Sequence, residues 1–209
     1  WRPEPGQFGR EVSGGEMVAM THDLHRSQRG ISLIEVLIAM VILAIGLLGL
    51  VGLQGRLHVT QVESYQRAQA LILLQDMTNR IALNRTDALS YVTAEPIGTG
   101  MDGGCPVANA TRVERDVREW CQFLIGAAET LGGAQVGAMV GGRGCVEEIA
   151  TDEYLITVTW QGMAPVTAPP ESVPCGAGEY DGGDDSPCVN DLCRRVVTTV
   201  VRISDLTPL

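Results

Sequence analysis

The sequence predicts an α+β protein built on one long N-terminal α-helix that starts inside a membrane, followed by a second helix and three β-strands. Three observations carry that expectation. From Val36 to Gly55 there are twenty residues with one polar side chain, Gln54, and no charge. Beyond Gly55 the apolar residues recur at helical spacing with no Pro to break the rod. Three segments toward the C-terminus, rich in Val, Thr and Ile, alternate at period two.

Trp1 to Glu16 is polar and rich in Gly and Pro, so it is read as an upstream extension excluded from the fold, with Met17 and Met20 as candidate starts. At about 1.5 Å rise per residue, the run from Val36 spans a hydrocarbon core of about 30 Å. Arg26 and Arg29 precede it and set its N-terminal side in the cytoplasm, leaving everything after it outside. A secretory signal peptide has a shorter apolar core with the cleavage residue behind it. Here the small residue, Gly30, lies in front, and a cut there leaves the apolar helix as the new N-terminus. Glu35 is the only charge between Arg29 and Arg56. A lone carboxylate at this depth costs about 2.5 kcal/mol or more to insert and calls for a partner. The α-amine that a cut would create on Ile31 of a neighbouring copy is one.

Gly30 followed by Ile-Ser-Leu-Ile-Glu-Val-Leu-Ile-Ala resembles the class III signal of type IV pilins and of the pseudopilins of type II secretion. Ile45 to Gln54 is similar to the corresponding stretch of PilV-type minor pilins. The resemblance implies a prepilin peptidase that cuts between Gly30 and Ile31 and N-methylates Ile31, although Ile stands where Phe is usual. It also implies that Glu35 contacts a neighbouring N-terminus in a filament. The implied organisation is a leader, 1–30, removed on processing; a transmembrane half-helix, 31–55; and a periplasmic or extracellular α+β domain, 56–209. The implied type IV pilin-like fold lays one face of a small antiparallel sheet on the long helix. The implied partners are the prepilin peptidase, other minor and major pilins, the inner-membrane assembly platform and a tip adhesin. The implied location is a single pass in the inner membrane, then the pilus at the cell surface. The likeness is specific over residues 30 to 54, weaker over Tyr154 to Gly162 and architectural elsewhere.

The long helix is expected to reach Leu83 to Arg85, with Leu71, Leu74, Met77 and Ile81 on its packed face and Gln69, Asp76 and Arg80 on the other. Gly46, Gly49 and Gly52 weaken it by about 1 kcal/mol each. They suit either close helix packing in lipid or a segment that melts to let a subunit bend. Asp87 to Pro106 reads as a linker. Thr111 and Glu114 form a capping-box pair that opens a second helix, with Val113, Val117, Trp120, Leu124 and Leu131 on one stripe and Trp120 in the core. Gly132, Gly133, Gly137, Gly141 and Gly142 loop onward. The strands are Gly144 to Ile149, Tyr154 to Gln161 and Arg195 to Ile203, the first two joined as a hairpin through Thr151-Asp152-Glu153. Ala164 to Asp191 is long, irregular and in need of restraint.

Six cysteines, all after the apolar run, fit an oxidising compartment and up to three disulfides, with fifteen complete connectivities. Cys105 with Cys121 ties the linker to the second helix, and two of Cys145, Cys175, Cys188 and Cys193 close the long loop. No spacing is C-x₂-C and no His follows His58, which disfavours zinc. Glu179, Asp181, Asp184, Asp185 and Asp191 read as a solvated acidic loop, since Asp-Gly-Gly-Asp-Asp does not match an EF-hand. Acidic residues number 25 against 15 Arg and no Lys, for a net charge of −10, which argues against nucleic acid as a partner. No nucleophile elbow, phosphate loop or triad is present, so neither catalysis nor a cofactor is expected. Two functions stay open: a minor pilin of a type IV pilus, favoured by the Leu47 to Gln54 continuation and the long loop, and a minor pseudopilin of type II secretion.

Overall fold

The computed structural model describes residues 31–127, 130–131, 134–135 and 139–204, and the chain divides into two units, Trp1–Leu47 and Leu48–Leu209. Helix α1, Leu33–Leu83, contributes to both. In the first unit the helix opens where the Ser32 carbonyl accepts the Glu35 and Val36 amides at 3.0 and 3.3 Å. Every described side chain of that unit is exposed.

In the second unit α1 becomes one-sided. Gln66, Ala70, Leu73, Leu74, Met77 and Ile81 are buried, following the i, i+3, i+4 steps of a helix face. Three of the four expected core positions lie on it. Leu71 does not: it stands one residue off the stripe and is 48% exposed, while Ala70 takes the inward place. The helix ends at Leu83, where the Asn84 amide bonds to the Arg80 and Ile81 carbonyls. A 3₁₀ segment, Arg85–Tyr91, follows with a kink at Asp87.

The stretch expected to be a linker is thus largely structured. Tyr91 is fully buried, and Ile97–Gly98 forms β1. Gly98 adopts φ +123°, and a Cβ there would strike the Gly142 carbonyl, so this edge of the sheet admits only glycine. Helix α2, Arg112–Leu124, carries the full capping box: the Glu114 amide donates to Thr111 Oγ1 at 3.1 Å and the Thr111 amide to Glu114 Oε2 at 2.9 Å. It ends before Gly126, which is left-handed at φ +68°. Trp120 and Leu124 are buried, and Val113 and Val117 are half-buried. Leu131 falls in β2, Thr130–Leu131, which pairs with β3, Ala134–Gln135; its side chain, with Gly132, Gly133 and Gly137, lies outside the described residues.

The main sheet is antiparallel throughout, in the order β1, β4, β5, β6, with β4 spanning Arg143–Ala150, β5 Glu153–Gln161 and β6 Arg194–Arg202. The β4–β5 hairpin turns at Asp152 with φ 59°, and its register shifts between Glu148 and Ala150. Val146, Tyr154, Ile156, Val158, Trp160 and Val201 form one core with the inward faces of α1 and α2. Trp120 lies directly over Gly144, where any Cβ would collide with the indole, and its Nε1–H donates to the Leu73 carbonyl at 2.9 Å. Thr157 and Thr159, on the opposite face of β5, are buried as well. The segment between β5 and β6 folds over that face and brings Gly176 against Thr159.

Candidate functional site

Three features can carry function: the N-terminal signal, the ion cluster that seats α1, and the stapled loop. Gly30 lies outside the described residues. Ile31 is 76% exposed, and Glu35 sits in the first helical turn, where the aligned peptide dipoles favour a negative charge. The next charge along the chain is Arg56. A Cβ built on Gly46, Gly49 or Gly52 meets no described residue, so no contact among the described residues requires glycine there, and the helix runs unbroken through all three.

The sequence reading set Asp76 and Arg80 on the outer face of α1, and the structure overturns this. Arg80 reaches Asp76 at 2.8 Å on its own helix, and Asp116 at 2.8 Å and Glu119 at 3.0 Å on α2. Tyr91 donates its hydroxyl to the other Asp116 oxygen at 2.5 Å. Burial alone would lower the Arg80 pKa, but the hydrogen bonds to Asp76, Glu119 and Asp116 outweigh it and raise it. Burial and the bond to Asp116 push the Tyr91 phenol up to about 12. The signal for this cluster is an i, i+4 Asp–Arg pair on one helix and Asp and Glu at i, i+3 on another, which sequence spacing alone does not bring together.

The long loop is held from inside. Cys145 bonds to Cys175, Cys188 to Cys193, and Cys105 to Cys121. Buried Arg194 donates to the carbonyls of Val173 at 2.7 Å and Cys175 at 3.0 Å and pairs with Asp191 at 3.1 Å. Arg143 pairs with Glu179 at 2.8 Å and lies 4.9 Å from the Tyr180 ring centroid. Asp191 accepts the Gly178 amide at 2.8 Å, and Asp181 accepts that of Asp191 at 2.8 Å. The acidic cluster is largely solvated, as expected: Glu179, Asp181, Asp184 and Asp185 are exposed and Asp191 is half-buried, while Glu179, Asp181 and Asp191 also help to organise the loop. Among the described residues no three His, Cys, Asp or Glu side chains converge as metal ligands. A cleft of about 590 Å³ near β1 is lined by Gly98, Thr99, Gly100, Met101 and Met139 among others, with no ionisable side chain among the described residues that line it.

Residues 25–51 match the family model described as the prokaryotic N-terminal methylation motif. No curated protein and no solved structure matches the chain. The motif and the apolar helix behind it fit a membrane-anchored protein of the class processed by prepilin peptidase. With the long helix on a four-stranded antiparallel sheet, they support a type IV pilin or pseudopilin-like protein, a structural rather than enzymatic kind.

Proposed function

We propose that the chain is a minor pilin that helps prime, and is built into, a type IV pilus that supports adhesion and twitching. The observation that carries this reading is the methylation motif over residues 25–51, a stretch that includes Gly30, Ile31 and Glu35. Prepilin peptidase cuts between Gly30 and Ile31 and methylates the new amine. The segment from Ile31 to Gly55 holds the subunit as a single pass in the inner membrane until the assembly platform extracts it into the filament. There it meets other minor pilins, the major pilin and a tip adhesin. Pseudopilins of type II secretion carry the same signal. The likeness of Leu47 to Gln54 to PilV-type pilins and the length of the stapled loop favour the pilus.

Glu35 acts between subunits in this reading, because its carboxylate needs a partner and cleavage supplies an amine. In low dielectric the attraction is offset by desolvation, so the pair sets register more than it adds stability. The mature protein is expected to begin at Ile31 by N-terminal sequencing. Glu35→Ala is expected to leave cleavage and insertion intact while removing the subunit from sheared pili. A different mature start, or wild-type levels of Glu35→Ala in pili, overturns the assignment.

A further inference from the structure

The order of contacts along α1 shows that β5 descends toward the apolar run that ends at Gly55. Val158 pairs with Gly144, which lies against the Trp120 indole that bonds to the Leu73 carbonyl. Trp160, two residues on, shares a cleft with Thr60, Glu63 and Arg67. The Met163 amide then donates to Glu63 Oε1 at 2.7 Å, and Arg195, which pairs with Glu63 at 3.2 Å, also donates to the Ala164 carbonyl at 2.6 Å. The Val166 amide is held by the Leu192 carbonyl at 2.8 Å. The start of the covering loop is thus pinned to the helix at its lowest contact with the domain.

Glu63 follows Gly55 by eight residues, about 12 Å of helix. The headgroup layer adds about 5–7 Å to each side of a hydrocarbon core, so Glu63 stands about 5–7 Å above it. A tilt of about 20° toward the loop, usual for a spanning helix, removes much of that gap.

The surface at this level suits lipid. Residues 161–170 carry no charge in a chain of net charge −10, and Met163, Ala164, Pro165 and Val166 are all exposed, Met163 by 51% and Val166 by 50%. The one carboxylate that holds them, Glu63, is neutralised by Arg195. Below Glu63 on the same face of α1 stand Val59 and Arg56, one and two turns nearer the apolar run. Arg56 and Arg67 are exposed and form no ion pair with any described residue. Exposed apolar tips beside uncommitted cations complement a layer of phosphates over acyl chains.

We propose that residues 163–166 form a foot that rests in the phospholipid headgroup layer of the membrane α1 spans, flanked by Arg56 and Arg67. It sets the height and tilt of the domain before the subunit leaves the bilayer. The inference rests on the reading of α1 as a membrane span.

The test places the full chain in liposomes of phosphatidylethanolamine and phosphatidylglycerol, with and without lipids brominated near the glycerol end of their acyl chains, which quench tryptophan at contact range. Flotation with the liposomes reports the span separately. Val166→Trp and Met163→Trp each add a reporter at an exposed site, and Ile149→Trp, exposed at the hairpin end of the sheet, is the control. After subtraction of the unaltered chain, both foot reporters are expected to dim at least twofold in brominated lipid, with Ile149→Trp unchanged. A chain that floats while both foot reporters stay as bright as Ile149→Trp overturns the foot and leaves the span standing. A chain that does not float overturns both. Foot reporters that are unquenched when dilute, and shift to the blue only as the chain is concentrated in the membrane, overturn the foot in favour of a second copy.

Discussion

From Ile31 to Val62 every side chain is exposed, whereas from Gln66 to Ile81 one side of the same helix is buried against Trp120, Val146 and their neighbours. The contrast does not follow hydrophobicity residue by residue. Leu71 and Ile72 are exposed in the second stretch while Gln66 is buried, its Oε1 accepting the Val140 amide at 3.2 Å. What separates the stretches is periodicity. A helix apolar on all sides has no face to choose and is suited to lipid or to other helices, whereas an amphipathic one selects the face that a single domain can cover.

The sharpest way to break that comparison is to truncate one large apolar side chain in each stretch. Met77→Ala is expected to destabilise the folded domain by about 2–5 kcal/mol, because it leaves a cavity in the core. Leu43→Ala is expected to leave domain unfolding unchanged. Denaturant titration followed by tryptophan fluorescence reads both, and equal effects would dissolve the distinction. Next in size is the staple that lies entirely in the second unit. Replacing Cys145 and Cys175 together by Ser is expected to lower stability by about 3–4 kcal/mol, given the separation of 30 residues. The same titration measures it, and membrane insertion of the first stretch should not change.

The smallest effect concerns the seat of α1. The Tyr91 phenol is raised in the folded state, so folding favours its protonated form. Its contribution is complete below pH 10, the ordinary phenol value, and is lost as pH rises through about 12. Tyr91→Phe is expected to cost about 1–2 kcal/mol at neutral pH, by leaving an Asp116 oxygen without its donor. It should also flatten the stability profile between pH 10 and 12. An unchanged profile would remove Tyr91 from the seat.

Much of the architecture was legible because it is local. The apolar run from Val36 to Gly55, the Thr111–Glu114 capping box and the alternation of Tyr154, Ile156, Val158 and Trp160 are each written in one continuous stretch of sequence. β1 was not legible: two residues carry no period, and Ile97–Gly98 is a strand only because Arg143 and Gly144 lie beside it. The Arg80 cluster was missed for a related reason. A charged residue on a helix reads as solvent-facing unless its partners are in view, and Asp116 and Glu119 are brought to it by tertiary packing. Thr157 and Thr159 had the outward parity of a half-exposed sheet and are buried only because a stapled loop covers them. Of the signal, Gly30, Ile31 and Glu35 were legible as a motif because they lie within one short stretch of sequence.

The placement of the two loop disulfides divides the covering segment into parts with different fates if a protease reaches it. A nick at exposed Glu171 falls between Cys145 and Cys175, so both fragments stay covalently joined and separate only under reduction. A nick at Asp184 falls between the staples, with Cys175 on one side and the Cys188–Cys193 ring on the other. The C-terminal fragment then keeps β6 in place through its ladder to β5, the Arg194 hydrogen bonds to the Val173 and Cys175 carbonyls and the ion pairs of Arg195 and Arg202, which unfolding releases without any reductant.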